Sequence, residues 1–275
     1  RLRISLEMRS HYLCALRSSN MNNPAKDIFR TLAYFSFFGY PLTLFELWKY
    51  LYRPSKEWSF EEIISTVDEL VMAGRIGVHN GFYGLLETEF GTIESQVACR
   101  HERYLDAIRK YRRLKWFRWY LRCLPFIKGV AVCNTLALHH TKPSSDIDLF
   151  IITRAGWVWT TRFFVVAPLM ILRLRPGEAK QDPIDVSFLV SASALDFTSL
   201  RLLPDDPYFT YWVATLRPII NRGQIFSQLT IQNYQWQKVL PHLLAVVLAK
   251  DQASKTPRSK KSSLIERWLE KIQRA

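Results

Sequence analysis

Two aspartates interrupt one of the most apolar runs of the chain, Ser145-Asp146-Ile147-Asp148-Leu149-Phe150-Ile151-Ile152. Asp is depleted in strands, and a buried carboxylate without a partner is costly, so such a run must have its carboxylates solvated, paired or bound to a cation. Side chains alternate along a strand, which puts Asp146 and Asp148 on one face and Ile147, Leu149 and Ile151 on the other. The spacing predicts a strand with one packed face and one face carrying two carboxylates rooted about 7 Å apart. A pair of this kind suits Mg2+, which binds one or two carboxylates together with substrate phosphate oxygens. The plain alternative is a strand end whose carboxylates face water.

The composition belongs to a folded chain: 275 residues, 48% hydrophobic and 23% charged, which excludes disorder, collagen and disulfide scaffolds. Lys and Arg number 38 against 24 Asp and Glu, a net charge of +14, so a polyanionic partner is favoured. Cys14, Cys99, Cys123 and Cys133 form no C-x-x-C pair, which argues against zinc and disulfides and predicts a cytoplasmic location. Arg1, Arg3, Glu7, Arg9 and Arg17 break up the apolar residues near the start, so no signal peptide is predicted. Residues 1–23 read as an extension, with Met21 as a candidate start. The apolar stretch 157–172 contains Arg162 and Pro168 and falls short of the ~20 apolar residues of a span. It is expected to be a buried or half-buried helix rather than a membrane segment.

Residues 24–87 predict three helices and a hairpin. The first helix covers 27–35 and stops at Gly39-Tyr40-Pro41, a second runs from Pro41 or Thr43 to about Tyr52, and a third starts on Ser59 and ends at Gly74. Asn80-Gly81 then marks a two-residue turn. This is a winged-helix-like pattern. Its third helix carries Glu61, Glu62, Asp68 and Glu69, the wrong sign for phosphates, so packing or protein contact is expected rather than duplex reading.

Residues 88–128 are expected to form a basic connecting helix. It carries Arg100, Arg103, Arg109, Lys110, Arg112, Arg113, Lys115, Arg118 and Arg122 among Tyr104, Tyr111, Trp116, Phe117, Trp119 and Tyr120. Two readings stand side by side. The face between Arg100 and Arg122 contacts RNA or another nucleic acid, or the aromatics are core and the arginines solvated. From Gly129 the character changes to strands at 129–133, 147–153 and 184–190, giving an α+β core over 129–200 with a small mixed sheet. A helical region is expected over 201–249, with one run to about Ile220 and another from Ile225 to Leu248. A basic linker and a terminal amphipathic helix opening at Ser263 complete 250–275.

A strand that turns at Asn134-Thr135, followed eleven positions later by the Asp146-Ile147-Asp148 strand, resembles the polymerase-β-like nucleotidyltransferase superfamily. The resemblance covers roughly 129–190. It implies a nucleotidyltransferase core in which the turn approaches nucleotide phosphates and the paired aspartates hold the metal. Thr135 matches the Ser of the family turn, while Asn134 stands where the family has Gly. A third carboxylate from a later strand is implied, and Asp185 fits it, ahead of Asp182 and Asp196. The implied activity is Mg2+-dependent transfer of a nucleoside monophosphate from an NTP to an acceptor hydroxyl. Asp146, Asp148 and Asp185 would be catalytic, Asp146 and Asp148 would bind metal, and Asn134 and Thr135 would bind the nucleotide. A catalytically inactive nucleic-acid-binding or regulatory module of the same fold is the alternative, kept open by Asn134. His139, His140, Lys142 and Arg154 flank these positions as weaker candidates.

Overall fold

Helix α1 (Pro24–Ser36) is the first element of the computed structural model, which describes residues 24–179, 181–202 and 205–246. The expectations for 1–23, with Cys14 and Met21, and for 250–275 lie outside those residues. Ile28, Leu32 and Phe35 recur at helical spacing in α1 and form its buried stripe. Asp27 on the same helix is buried, and it accepts hydrogen bonds from Ser55 N and Trp58 Nε1, both at 2.8 Å, which fasten the following loop to the helix.

Strand β1 (Leu42–Thr43) leads into α2 (Leu44–Lys49), and α3 (Phe60–Met72) follows. Both helices begin with capping boxes. Thr43 pairs with Glu46 and Ser59 with Glu62, each side chain bonding the other residue's backbone N–H. Strands β2 (Gly77–His79) and β3 (Phe82–Gly84) meet at Asn80 and Gly81, whose φ values of 50° and 77° are those a tight hairpin turn requires. The expected three helices and hairpin are therefore present. β1 adds a third strand beside β3, which the sequence reading did not contain.

Strands β4 (Glu87–Thr88) and β5 (Gly91–Thr92) precede α4 (Ile93–Cys123), which is 31 residues long. Its buried positions Ala107, Lys110, Leu114, Phe117 and Leu121 are spaced three and four apart, a single stripe laid along the sheet that follows. That sheet contains β6 (Ile127–Val132), β7 (Ile147–Thr153), β8 (Ile184–Ser191) and β9 (Arg217–Asn221) in the order β8-β7-β6-β9. β7 and β8 are parallel, joined by the crossover helix α6 (Val158–Ile171), and the other pairs are antiparallel. The short helix α5 (Asn134–Ala137) follows β6 directly.

Alternation divides the sheet between two cores, making an α+β protein. Val130, Val132, Ile147, Leu149 and Ile151 pack with α4 and α6 on one side. Ala131, Cys133, Phe150 and Ile152 pack on the other with α7 (Pro207–Ala214) and α8 (Ile225–Gln232). Phe150 stacks on Phe188 with ring centroids 5.6 Å apart, and burying a ring of this kind contributes roughly 1.5–3 kcal/mol. Tyr211 of α7 also reaches the N-terminal core, where it stacks on Tyr34 at 4.3 Å and donates to Tyr50 O at 2.5 Å.

Two expectations need correction. The helical run to Ile220 ends at Ala214, and Arg217–Asn221 is a strand. Pro218 has no N–H to give a helix, whereas the sheet edge tolerates it. The run from Ile225 to Leu248 is broken at Asn233. Asn233 caps α8 and opens α9 (Tyr234–Gln237), and its side chain accepts from Phe197 N at 2.8 Å and donates to Leu195 O at 2.6 Å. Helix α6 is half-buried, as expected. It buries only Thr161, Val165 and Leu169, so Arg162 is exposed and requires no internal partner.

Candidate active site

One end of the four-stranded sheet collects the polar residues of interest. β6 ends there, β7 and β8 begin there, and the backbone N–H of Cys133 donates to Asp148 O at 3.1 Å. Asn134 takes up the left-handed backbone with φ 55°, a conformation Asn tolerates better than most residues, so the turn forms without glycine. Its side chain is fixed on both sides: Oδ1 accepts from Trp212 Nε1 at 2.8 Å, and the amide donates to Asp148. Thr135 follows, and its carbonyl accepts from His140 N at 2.8 Å, closing the loop back on the turn.

Asp148 lies on the same sheet face as Phe150 and Ile152, at the end where that face opens. Asp146 immediately precedes β7, and Asp185 is paired with Asp148 in parallel register. A bulge follows, since Phe150 pairs with Phe188 two residues on in β7 but three on in β8. Bulges re-aim side chains, and here the Ser187 hydroxyl reaches both Asp148 and Asp185. The structure thus brings Asp146, Asp148 and Asp185 together beside Asn134 and Thr135.

Charge is crowded at this end. Partial burial, followed by the charges of Asp148 and Asp185, holds the Asp146 carboxyl above the usual range. Asp148 is also held high, chiefly by burial, against the opposing hydrogen bonds from Asn134 and Ser187. Burial pushes the Cys133 thiol up, with Asp148 adding to the effect, so Cys133 is an inert core residue rather than a nucleophile. The cation that lowers both aspartates is Lys110 of α4, a fully buried residue that both readings of this helix expected on its exposed basic face. Its ammonium lies 2.9 Å from Asp106 Oδ2 and donates to Lys142 O at 2.5 Å. The only trace of this in the sequence is its place in the buried stripe of α4.

An aromatic cavity of about 80 Å3 opens beside the turn. Tyr34, Phe38, Tyr40, Tyr208 and Trp212 line it together with Asn134, Thr135 and His140. His140 is buried, with Nε2 3.1 Å from Phe38 O and against the Arg103 guanidinium, and its Nδ1 has no partner among the described residues. His139 is held between the Tyr104 and Tyr111 rings and the Arg217 guanidinium. Neither histidine faces the carboxylates through a hydrogen bond.

Other candidates lie elsewhere. Asp182 is buried in a salt-bridge cluster with Arg109 and Arg113, at 2.5 Å and 3.4 Å, and Asp196 accepts from Thr198 at the start of a short 3-10 turn. Lys142 and Arg154 are exposed. The basic face of α4 is partly engaged internally. Arg100 forks onto Glu46 with both contacts at 2.8 Å, Arg103 donates to Phe38 O at 3.2 Å, and Arg109 holds Asp106 and Asp182. Arg112, Lys115, Arg118 and Arg122 remain exposed with Trp116 and Trp119.

Among the described residues no three His, Cys, Asp or Glu side chains form a ready-made metal cage. No helix among them is long and apolar enough to cross a membrane. No family model, curated protein or solved structure matches the chain.

Proposed function

We propose that the protein is a Mg2+-dependent nucleotidyltransferase that moves a nucleoside monophosphate from an NTP to an acceptor hydroxyl. The observation that carries this reading is the convergence of Asp146, Asp148 and Asp185 at a sheet end next to the Asn134-Thr135 turn. Burial and the charges of Asp148 and Asp185 raise the proton affinity of Asp146, and burial with the charge of Asp185 raises that of Asp148, which favours a cation beside them. Mg2+ needs only one or two protein carboxylates when water and phosphate complete its shell, so this donor set fits it without a closed cage. Asp146 and Asp148 would hold the ion, which would neutralise triphosphate charge when bound. Thr135 and the turn would hold phosphate oxygens. Asp185 would take the acceptor proton as that oxygen bonds to the α-phosphorus, the bond to the bridging oxygen breaks and pyrophosphate leaves. The aromatic cavity beside the turn offers rings against which a planar group can stack.

In this reading the N-terminal helices and hairpin are a winged-helix-like module used for packing. The protein works in the cytoplasm. A second reading, a domain that binds without catalysing, rests on Asn134, whose amide occupies Asp148 where an ion would compete for it.

Thermal unfolding with Mg2+ and each NTP, on wild type and Asp146→Asn/Asp148→Asn, tests the site. A ligand at 100 times its Kd adds about 2.7 kcal/mol, a rise of roughly 5–10 °C at this chain length. The expected result is a Mg2+-dependent rise absent from the variant. No rise with any NTP overturns the proposal. A rise in wild type without pyrophosphate release in the presence of candidate acceptors leaves the binding-only reading in its place.

A further inference from the structure

Helix α6 is apolar on nearly every side, yet it lies on the surface and buries only a narrow stripe. Helices of that composition ordinarily sit in a protein core or against lipid. On its outer side Trp159 is 80% exposed, Phe163 65% and Ile171 81%. The C-terminal half of α4 extends the patch. Tyr120 Oη donates to Phe164 O at 2.6 Å, an apolar groove runs between Trp116 and Trp119 on one helix and Pro168 and Leu172 on the other, and Trp119 is 71% exposed.

The charges around this patch have one sign. No Asp or Glu occurs from Ala107 to Ser145 or from Leu149 to Gly177. Arg112, Lys115, Arg118, Arg122, Arg162 and Arg173 are all exposed, and none is ion-paired with a carboxylate among the described residues. A nucleic acid would satisfy these cations and could stack bases on the rings, but it would leave the exposed Met170, Ile171 and Leu172 in water. An anionic bilayer satisfies both at once, with indole and phenyl rings at the acyl boundary and guanidinium groups on headgroup phosphates. Indoles suit that boundary because one edge is apolar and the N–H is wet.

We propose that the α6 and α4 face seats the protein on an anionic lipid surface, with α6 lying in the headgroup plane. This does not depend on the nucleotidyltransferase reading. α4 and α6 cover one face of the sheet, whereas Asp148 opens on the other, so a seated protein keeps that end free.

Co-sedimentation of the full chain with vesicles tests the proposal, using phosphatidylcholine alone and phosphatidylcholine mixed with phosphatidylglycerol. Binding to the mixed vesicles, weakening as salt rises, is expected. Trp159→Ser/Phe163→Ser should lower the partition coefficient about tenfold or more with the unfolding midpoint unchanged, because both side chains are exposed. Trp119→Ser on α4 provides a second reading of the same face. Absence of binding to mixed vesicles, or variants that partition like wild type, overturns the proposal. It is also overturned if wild type ignores vesicles while the aromatic substitutions abolish self-association or RNA binding.

Discussion

Asp148 on β7 and Asp185 on β8 stand opposite each other with the Ser187 hydroxyl between them, 2.8 Å from Asp148 Oδ1 and 3.2 Å from Asp185 Oδ2. One hydroxyl proton serves one carboxylate at a time. The pair is therefore held together by backbone register rather than by mutual attraction. Asp146 adds a third charge to a place that already opposes two.

Neutralising that third charge should stabilise the fold in the absence of ligand. A carboxyl whose proton affinity is raised on folding contributes stability at low pH that is lost as pH rises through its folded value. At neutral pH Asp146 is therefore a cost. Asp146→Asn is expected to raise stability by up to about 1 kcal/mol, a modest figure because the group is largely solvated. Urea unfolding at pH 7 reads this, and a loss above about 1 kcal/mol would show that Asp146 makes a favourable contact instead.

Lys110 makes the opposite case. Its fully buried ammonium is matched to Asp106 and, at 3.9 Å, to Asp182, and Thr141 Oγ1 donates to Asp106 at 2.7 Å. Lys110→Met keeps the stem and removes the charge, leaving the Lys142 carbonyl without the ammonium donor and Asp106 and Asp182 to Arg109 and Arg113, at a cost of roughly 1–3 kcal/mol. Denaturant midpoints of the single variant check this. A loss under about 1 kcal/mol would mean that Arg109 and Arg113 carry the cluster alone.

Local signals made part of this molecule legible. The alternation around Asp148, the Asn80-Gly81 turn and the helix start at Ser59 each act within a few residues, and each forms as read. The carboxylates were legible because two of them share a strand face and the third alternates with apolar residues. What escaped depends on distance. Arg100 finds Glu46 across 54 residues and Arg109 finds Asp182 across 73, so no window of sequence distinguishes an engaged arginine from a solvated one. β9 escaped because its partner β6 lies far back in the chain.

Gly129 on β6 lies where α8 packs close against the sheet. A Cβ there would meet Ile225 Cγ2 at 2.7 Å and Phe226 Cε2 at 2.8 Å, both belonging to buried core residues. Gly129→Ala should cost about 1–3 kcal/mol through overpacking. Combining it with Phe226→Leu should return part of the loss, and additive losses in the double variant would contradict the contact.

Acid should destabilise the protein through His140 before it reaches the depressed carboxylates of Glu46 and Asp106. Burial pushes this imidazole down to about 3, and the positive charges of Arg103, Arg100 and Lys142 add to the effect against the opposing Phe38 carbonyl. His139 is pushed down to about 4, by burial and then by Arg217, with Glu46 opposing. A histidine free in the unfolded chain titrates near 6.5, so the unfolded state binds protons that the folded state refuses. Stability is then full above about pH 6.5 and falls as pH drops toward 4 and 3, with His140 alone contributing close to 1.4 kcal/mol per unit once the unfolded imidazole is protonated. Between pH 6.5 and about 4.5 the depressed carboxyls of Glu46 and Asp106 remain ionised and add little to the slope, while the raised carboxyls of Asp146 and Asp148 oppose it. Urea midpoints of wild type and His140→Gln across that window separate the contributions. The variant is expected to lose stability at pH 7 but to show a flatter profile, and an unchanged slope would place the proton uptake on another group.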